Sequence, residues 1–239
     1  MVQIRQLLLT PGRGGRPGTK IIPKALVIHW TANMNKGADA VANRNYFENH
    51  SENKVSAHYV VDDTEIVQCI PEDEMAYHVG AKQYKSEALT RLSNYPNNCT
   101  IGIEICVNQE GIFNLALKNA VGLATDICRR YGWGKDRLWR HYDITGKNCP
   151  AFFLDDKIAW AYGFGSAQQG WERFKTDVEL TLLGLKEDEY VEPTKVIYKE
   201  KELDGFIKDG KTYVEVRKLC ESLGLKVSWN AAKNVVEVD

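Results

Sequence analysis

A histidine and a cysteine lie eight residues apart in the segment H-Y-D-I-T-G-K-N-C-P, at His141 and Cys149. The segment is rich in turn-forming residues, so it can curl both side chains toward one point. Imidazole and thiolate are ligands that Zn²⁺ prefers, and a catalytic zinc site uses three protein ligands and keeps one position open for water. The pair therefore indicates a metal site that needs a third ligand.

His29 is the candidate third ligand because it lies near the end of ALVIHW, a segment that alternates with the period of a strand. A rigid strand can aim a side chain at the point where it passes into a loop. Taken alone, however, a histidine at a strand end is more often a hydrogen-bonded structural residue. A second chemical interpretation also stays open, in which Cys149 is a nucleophile and His141 its base.

The elements that would position these residues follow from periodicity. Alternation of apolar residues predicts strands, whereas apolar residues three and four positions apart predict helices that bury one face. In the strand at 100–107, one face is expected to be core and the other to carry a lone carboxylate, Glu104. The patterns predict strands at 25–30, 56–62, 65–70 and 100–107, helices at 38–50, 113–131 and 171–183, and a loop at 140–150.

Composition excludes several classes of protein. The 239 residues include 31 Lys and Arg against 32 Asp and Glu, so the basic surplus of a nucleic-acid-binding protein is missing. No run approaches the ~20 apolar residues of a membrane-spanning helix. The N-terminal segment falls short of the ~7–15-residue apolar core of a secretory signal. We expect synthesis in the cytoplasm without a signal peptide, and neither nucleic acid nor a membrane as partner.

Five short motifs occur in order: VIHWTAN, SAHYVVD, AYHVG, IGIEIC and HYDITGKNCP. Together they resemble the zinc-dependent N-acetylmuramoyl-L-alanine amidases of the phage-lysozyme and peptidoglycan-recognition superfamily, over roughly residues 20–180. The resemblance implies an α/β fold with a mixed central β-sheet flanked by helices. It also implies that His29, His141 and Cys149 bind Zn²⁺, so that Cys149 is a ligand and not a nucleophile.

The resemblance also assigns roles to residues that patterns alone would leave as ordinary charges or structural histidines. It implies that Glu104 is the general acid and base and that Lys147 positions water or stabilises the oxyanion. His58 and His78 are expected to contact substrate. Some relatives have a tyrosine immediately before the histidine of the second strand, but this chain has Ala57, so Glu104 must serve instead.

A change in composition predicts a domain boundary near residue 184. Residues 184–195 concentrate charge, a glycine and a proline without periodicity, which is typical of a linker. We predict a catalytic domain at 1–183, a linker at 184–194 and a small α+β module at 195–239. The module resembles the copper amine oxidase N-terminal-like domain, and we expect it to tether the protein to cell wall. A structural or dimerising role is the alternative.

The predicted function is hydrolysis of the amide bond between N-acetylmuramic acid and L-alanine in bacterial peptidoglycan. An amidase with a wall-binding module and no signal peptide fits a phage or prophage endolysin that acts at the wall after release. The alternatives are a bacterial autolysin, a cytosolic amidase of cell-wall recycling, and a non-catalytic peptidoglycan-binding protein. The presence of Cys149 argues against the last, because superfamily members that only bind can lack this ligand.

Overall fold

The chain divides into two compact units, Met1–Gly184 and Leu185–Asp239. The first contains all five histidines of the sequence. Within the described residues, no helix combines the length and apolar character needed to cross a membrane. The computed structural model describes residues 3–185, 192–198, 201–208, 211–230 and 235–238.

A six-stranded mixed sheet forms the centre of the first unit. Its strand order is β1-β4-β3-β5-β2-β6, and only β3 and β4 pair antiparallel. The two neighbouring strands β2 and β5 are therefore interior strands, flanked on both sides by others. The strands are β1 (Ile4–Gln6), β2 (Ala25–Trp30), β3 (Tyr59–Val61), β4 (Ile66–Gln68), β5 (Thr100–Ile105) and β6 (Leu138–Arg140).

Six α-helices connect and cover these strands in the described part of the first unit. Several begin with an oxygen that caps free backbone N–H groups; Asp39 and Ser166 are two such caps. The longest helix ends at Gly132, whose φ of 66° is the left-handed conformation that glycine adopts without strain. The helices are α1 (Ala40–Asn49), α2 (Ser86–Arg91), α3 (Phe113–Tyr131), α4 (His141–Thr145), α5 (Asp156–Ala161) and α6 (Ala167–Leu183).

Both faces of the sheet are packed, as expected for interior strands of a largely parallel sheet. Leu26 and Ile28 of β2 belong to the larger core cluster, to which α3 and α6 also contribute. The alternate residues Ala25 and Val27 pack in a second cluster with Ala88 of α2 and with residues of α4 and β6. This arrangement confirms the predicted α/β class with a mixed sheet between helices.

The structure has β2 and α3 with the predicted bounds and places the shorter strands β3 and β4 within the predicted segments 56–62 and 65–70, but it corrects other expectations. The expectation of a single core face on β5 is wrong, because residues on both of its faces are buried. The segment after residue 140 is not entirely a loop, because α4 begins at His141. The Asp143 carboxylate accepts a hydrogen bond from the Arg140 N–H at 2.8 Å and so caps this helix.

The second unit combines a three-stranded antiparallel sheet, β7-β8-β9, with a helix and a two-stranded antiparallel pair. The strand β8 was not predicted. Residues 186–191 of the predicted linker, and residues 199–200, 209–210 and 231–234 of the predicted module, lie outside the described residues. The elements are β7 (Glu192–Tyr198), β8 (Lys201–Lys208), β9 (Lys211–Val214), α7 (Val216–Ser222), β10 (Val227–Asn230) and β11 (Val235–Val238).

Candidate active site

The parallel pairing of β2 and β5 places a histidine beside a carboxylate. His29 is the register partner of Glu104 near the carboxyl ends of the two strands. Partners in adjacent strands project to the same face of a sheet, so both side chains line the same cleft. Ligand sites in α/β proteins characteristically lie at this edge of the sheet.

The segment that begins with α4 supplies the other two predicted ligands. His141 is the first residue of the helix, which ends at Gly146 with a φ of 82°. The chain then folds back, and the Cys149 carbonyl accepts a hydrogen bond from the Tyr142 N–H at 3.0 Å. This contact brings Cys149 next to the start of α4, so two residues eight positions apart share one site.

His29, His141 and Cys149 converge as the sequence predicted. One potential ligand atom from each residue lies within 4.8 Å of the other two, and all three residues are buried. His29 Nδ1 lies 3.7 Å from the Cys149 sulfur, and the two imidazole centroids are 4.7 Å apart. This is the only such group of three or more found in the described part of the chain.

Three buried side-chain atoms in the described residues have no hydrogen-bond partner: Thr31 Oγ1, Glu104 Oε2 and His141 Nδ1. All three residues line one cleft of about 1210 Å³. Buried polar atoms are normally paired, so unpaired ones indicate a missing partner. The free His141 nitrogen beside a second imidazole and a thiol fits a divalent metal such as Zn²⁺, which takes nitrogen and sulfur ligands.

Burial shifts the ionisation of the site residues. It lowers the pKa of His141 to about 4 and that of His29 well below its ordinary value, and neighbouring positive charges lower both further. Both imidazoles are therefore neutral at pH 7, as metal ligands must be. Burial also raises the pKa of the Cys149 thiol to about 12. A thiol used as a nucleophile shows the opposite shift.

Glu104 is set up to hold a proton near neutral pH. Burial raises the pKa of its carboxyl to about 8, and the positive charge of Lys147 opposes this rise. Lys147 itself is exposed and lines the same cleft. The structure therefore brings the predicted acid and base, the predicted cation and the three potential ligands together.

His58 and His78, predicted to contact substrate, take different positions. His58 is fully buried and does not line the cleft. Its Nδ1 accepts a hydrogen bond from the Gly102 N–H at 3.0 Å, and its Nε2 donates to the Glu74 carbonyl at 2.8 Å. Nothing remains on His58 for a substrate to contact, and its role here is to join two segments of backbone.

His78 does line the cleft, but only 7% of it is exposed. Its Nδ1 lies 2.9 Å from His29 Nε2, and its Nε2 lies near the hydroxyl and carbonyl oxygens of Thr100. Both ring nitrogens of His78 are thus occupied by protein atoms. The His78 side chain therefore contacts the predicted ligand His29.

One residue of the site was not predicted from the sequence. Thr31 projects an unpaired hydroxyl into the cleft, two positions after His29. The signal was the strand period, because residues two apart share a face. Thr31 was not predicted because β2 ends at Trp30, and alternation does not predict the direction of side chains beyond the end of a strand.

Comparison with known proteins identifies two regions. Residues 17–152 match the family model described as N-acetylmuramoyl-L-alanine amidase, which is more than half of the chain. Residues 195–239 match the model described as copper amine oxidase N-terminal domain. The first match contains all the site residues described above.

Individual relatives agree with the first match. The N-acetylmuramoyl-L-alanine amidase CwlL of Bacillus licheniformis is 36% identical over 162 residues, which are 65% of this chain and 44% of the relative. XlyA of Bacillus subtilis, with the same enzyme name, is 34% identical over 165 residues, covering 69% of this chain and 52% of the relative. The chain thus spans about half the length of these relatives.

Solved structures show the same relationship for the first unit. The catalytic domain of XlyA is 30% identical, with a TM-score of 0.58, and the match covers 74% of this chain and 99% of that domain. A mutant endolysin from Bacillus subtilis, also 30% identical, gives a TM-score of 0.60 with the same coverage. The chain belongs to the N-acetylmuramoyl-L-alanine amidase family.

Proposed function

We propose that the first unit hydrolyses the amide bond between N-acetylmuramic acid and L-alanine in bacterial peptidoglycan. The observation that carries the proposal is the convergence of His29, His141 and Cys149 beside the Glu104 carboxylate in one cleft. Family membership supplies the bond class, since the relatives are named for this reaction.

We further propose that His29, His141 and Cys149 hold one Zn²⁺ ion. Two neutral imidazoles and one thiol match the three-ligand sites of zinc hydrolases, and the unpaired His141 nitrogen supports the same assignment. Binding requires the Cys149 thiol to lose its proton, so metal affinity rises with pH. Zinc bound there would lower the pKa of a coordinated water toward ~7 and polarise the substrate carbonyl.

Glu104 is the residue that transfers protons in the proposed hydrolysis. Its carboxylate takes a proton from the attacking water and passes it to the departing amide nitrogen, which would otherwise be a poor leaving group. A pKa of about 8 suits both transfers, because the group can hold and release a proton near neutral pH. The unpaired Oε2 atom has no protein partner that would compete for either proton.

Lys147 contributes a positive charge to the same cleft. Its ammonium group is close enough to lower the pKa of both Glu104 and His141. A cation in this position stabilises the negative charge that develops on the carbonyl oxygen as the amide is attacked. The flexible stem of lysine allows the group to follow the substrate as it binds.

A cysteine-nucleophile hydrolase is the competing reaction class, and the geometry disfavours it. Such an enzyme needs a thiolate, whereas burial keeps the Cys149 thiol protonated, with its pKa raised to about 12. The sulfur also lies close to His29, the histidine on β2, rather than in a hydrogen bond with His141, which sequence reasoning had paired with it.

We propose that the protein acts on cell wall as a phage or prophage endolysin, with a bacterial autolysin and a recycling amidase as alternatives. The similarity to the structure of the mutant endolysin from Bacillus subtilis supports the first role. The second unit would then hold the enzyme at the wall, where its substrate is concentrated.

Digestion of purified peptidoglycan tests the reaction. We expect the zinc-loaded protein to release new L-alanine amino termini without new reducing sugars, measured by amino-terminal labelling and mass spectrometry of the fragments. New reducing sugars with no new amino termini would identify a glycosidase and overturn the proposal. A Glu104→Gln variant, in which the acid and base is removed, is the matched negative control.

A further inference from the structure

We propose that Thr100 and His78 act as positioning residues that fix the tautomer of His29 and leave its Nδ1 free to bind metal. The inference deepens the proposed metal centre and rests on it. It assigns a role to two residues outside the potential ligand set, one on β5 and one in the loop between β4 and α2.

Two carbonyl oxygens fix the position of the proton on His78, because a carbonyl can only accept a hydrogen bond. The Thr100 hydroxyl lies 2.7 Å from the Pro96 carbonyl oxygen and must donate its single proton there. The hydroxyl oxygen can then act only as an acceptor toward His78 Nε2, which lies 3.1 Å away. The Thr100 carbonyl oxygen, 3.3 Å from the same nitrogen, is a second acceptor.

His78 Nε2 therefore carries the proton of the His78 ring. A neutral imidazole has only one N–H, so His78 Nδ1 is an acceptor. His29 Nε2 lies 2.9 Å from that nitrogen and has to donate to it. The proton of the His29 ring is thus held on Nε2, and the lone pair of Nδ1 points toward the Cys149 sulfur, 3.7 Å away.

The His78 ring is held in place from several sides. The Asn97 side-chain oxygen accepts hydrogen bonds from the backbone N–H groups of His78 and Val79, at 3.1 Å and 2.9 Å. A Cβ atom added at Gly102 would lie only 2.7 Å from the His78 ring, so this position has room for the ring only as glycine. A ring held in this way can transmit orientation to His29.

One face of β5 therefore carries three linked functions at intervals of two residues. Thr100 sets the tautomer of His78, Gly102 leaves space for its ring, and Glu104 lies beside His29. Ligating histidines generally donate their second nitrogen to an oriented acceptor, and loss of such a partner typically weakens metal binding by ~10–100-fold. We expect a loss of this size when the His78 acceptor is removed.

The tautomer is measured directly in the unsubstituted, full-length protein. We expect ¹⁵N nuclear magnetic resonance of the chelator-treated protein to show His29 protonated on Nε2 and unprotonated on Nδ1, and His78 protonated on Nε2. A proton on His29 Nδ1 would overturn the proposal. This measurement needs no variant, so it decides the matter even where a substitution prevents folding.

Substitution at residue 78 tests the consequence for metal binding. The Zn²⁺ dissociation constant, measured by chelator competition, is expected to rise ~10–100-fold in His78→Leu. His78→Asn keeps an oxygen acceptor close to the position of Nδ1 and should recover most of the affinity. His50→Leu, at an exposed histidine at the end of α1, is the control that should bind zinc normally.

A folded His78→Leu variant with unchanged zinc affinity would contradict the proposal, and so would equal losses in the Leu and Asn variants. Circular dichroism confirms folding of each variant before titration. Neither the tautomer nor the zinc affinity requires substrate. A protein that binds zinc as expected but cuts no peptidoglycan would therefore refute the proposed function and leave this inference standing.

Discussion

At the scale of single residues, the site is distinguished by atoms that lack partners. Glu104 Oε2 and His141 Nδ1 are buried and unpaired, although burial of an unpaired polar atom costs about 1–3 kcal/mol. A protein tolerates this free-energy cost at positions where the unpaired atoms bind a ligand or react with a substrate. The sequence indicated His141 through its spacing from Cys149 and Glu104 through the family resemblance, but no sequence pattern shows which atoms are left unpaired.

Glu104→Gln tests the acid and base at this scale. We expect kcat to fall by ~10²–10⁴-fold, because the amide cannot take up or release the proton. Zinc affinity should stay within a few-fold of normal, because Glu104 is not among the three potential ligands. Stability in urea should not decrease, since glutamine keeps the volume and removes a carboxyl that is costly to ionise.

Kinetics on soluble muropeptides and chelator competition measure the two properties of this variant. Glu172→Gln, at an exposed carboxylate on α6, is the control that should leave both unchanged. Activity of Glu104→Gln within ten-fold of the unsubstituted protein would remove Glu104 from its proposed role.

At the scale of elements, sequence patterns predicted those helices and strands whose buried apolar residues recur at a regular spacing. The α3 helix and the β2 strand appear with the predicted bounds because their apolar residues repeat at a regular spacing. The short elements β1, β6 and α4 were not predicted, whereas the equally short β3 and β4 lie within longer segments that the sequence patterns predicted as strands. The positions of His58 and His78 were also unpredictable, because they depend on hydrogen bonds between distant segments.

Gly102→Ala tests the close packing on β5. The new methyl group would collide with the His78 ring, so we expect unfolding to become easier by ~1–3 kcal/mol. Gly122→Ala is the matched control, because an added Cβ in the middle of α3 meets no atom within 4 Å. Alanine favours helix over glycine by roughly 0.5–1 kcal/mol, so this variant should be more stable. Urea unfolding that ranks the two variants in the opposite order would contradict the packing described here.

His58 makes stability depend on pH. Burial lowers its pKa to about 4, although the Glu74 carbonyl and the charges of Glu72 and Glu74 oppose the shift. The unfolded chain takes up a proton below pH ~6.5, whereas the folded protein resists it. Stability is therefore fully present above pH ~6.5 and is lost as the pH falls toward 4. The contribution of this one residue is on the order of 3 kcal/mol.

Urea unfolding of chelator-treated protein between pH 7 and 4.5 measures this effect without a contribution from zinc release. His58→Gln should be less stable at pH 7, because the Gly102 N–H loses its acceptor. Its stability should also fall less steeply with acid than that of the unsubstituted protein. Identical slopes for the two proteins would show that folding does not lower the pKa of His58.

At the scale of the whole molecule, the chain consists of two compact units with separate family matches. The site residues all lie in the first unit, and a solved catalytic domain is covered over 99% of its length by a match to this chain. Sequence composition placed the boundary near Gly184, because charged residues, a glycine and a proline are concentrated from there onward without periodicity. Composition carries no information about what the second unit binds.

Deletion of residues 185–239 tests the proposal that the first unit cleaves the substrate and the second unit binds the wall. We expect the shortened protein to stay folded, to bind zinc with unchanged affinity and to cut soluble muropeptides at the normal rate. The fraction of the shortened protein that sediments with purified cell walls should fall sharply, because the second unit, which is proposed to bind the wall, is absent. Unchanged pelleting would remove the tether proposal, and loss of zinc binding would show that the first unit does not fold alone.

The central claim is that one zinc ion on His29, His141 and Cys149 supports cleavage of the amide bond. Stepwise addition of Zn²⁺ to the chelator-treated protein, with release of L-alanine amino termini recorded at each step, tests it most directly. We expect no release without zinc, a linear rise, and saturation at about one equivalent. Full release from the zinc-free protein would contradict the claim.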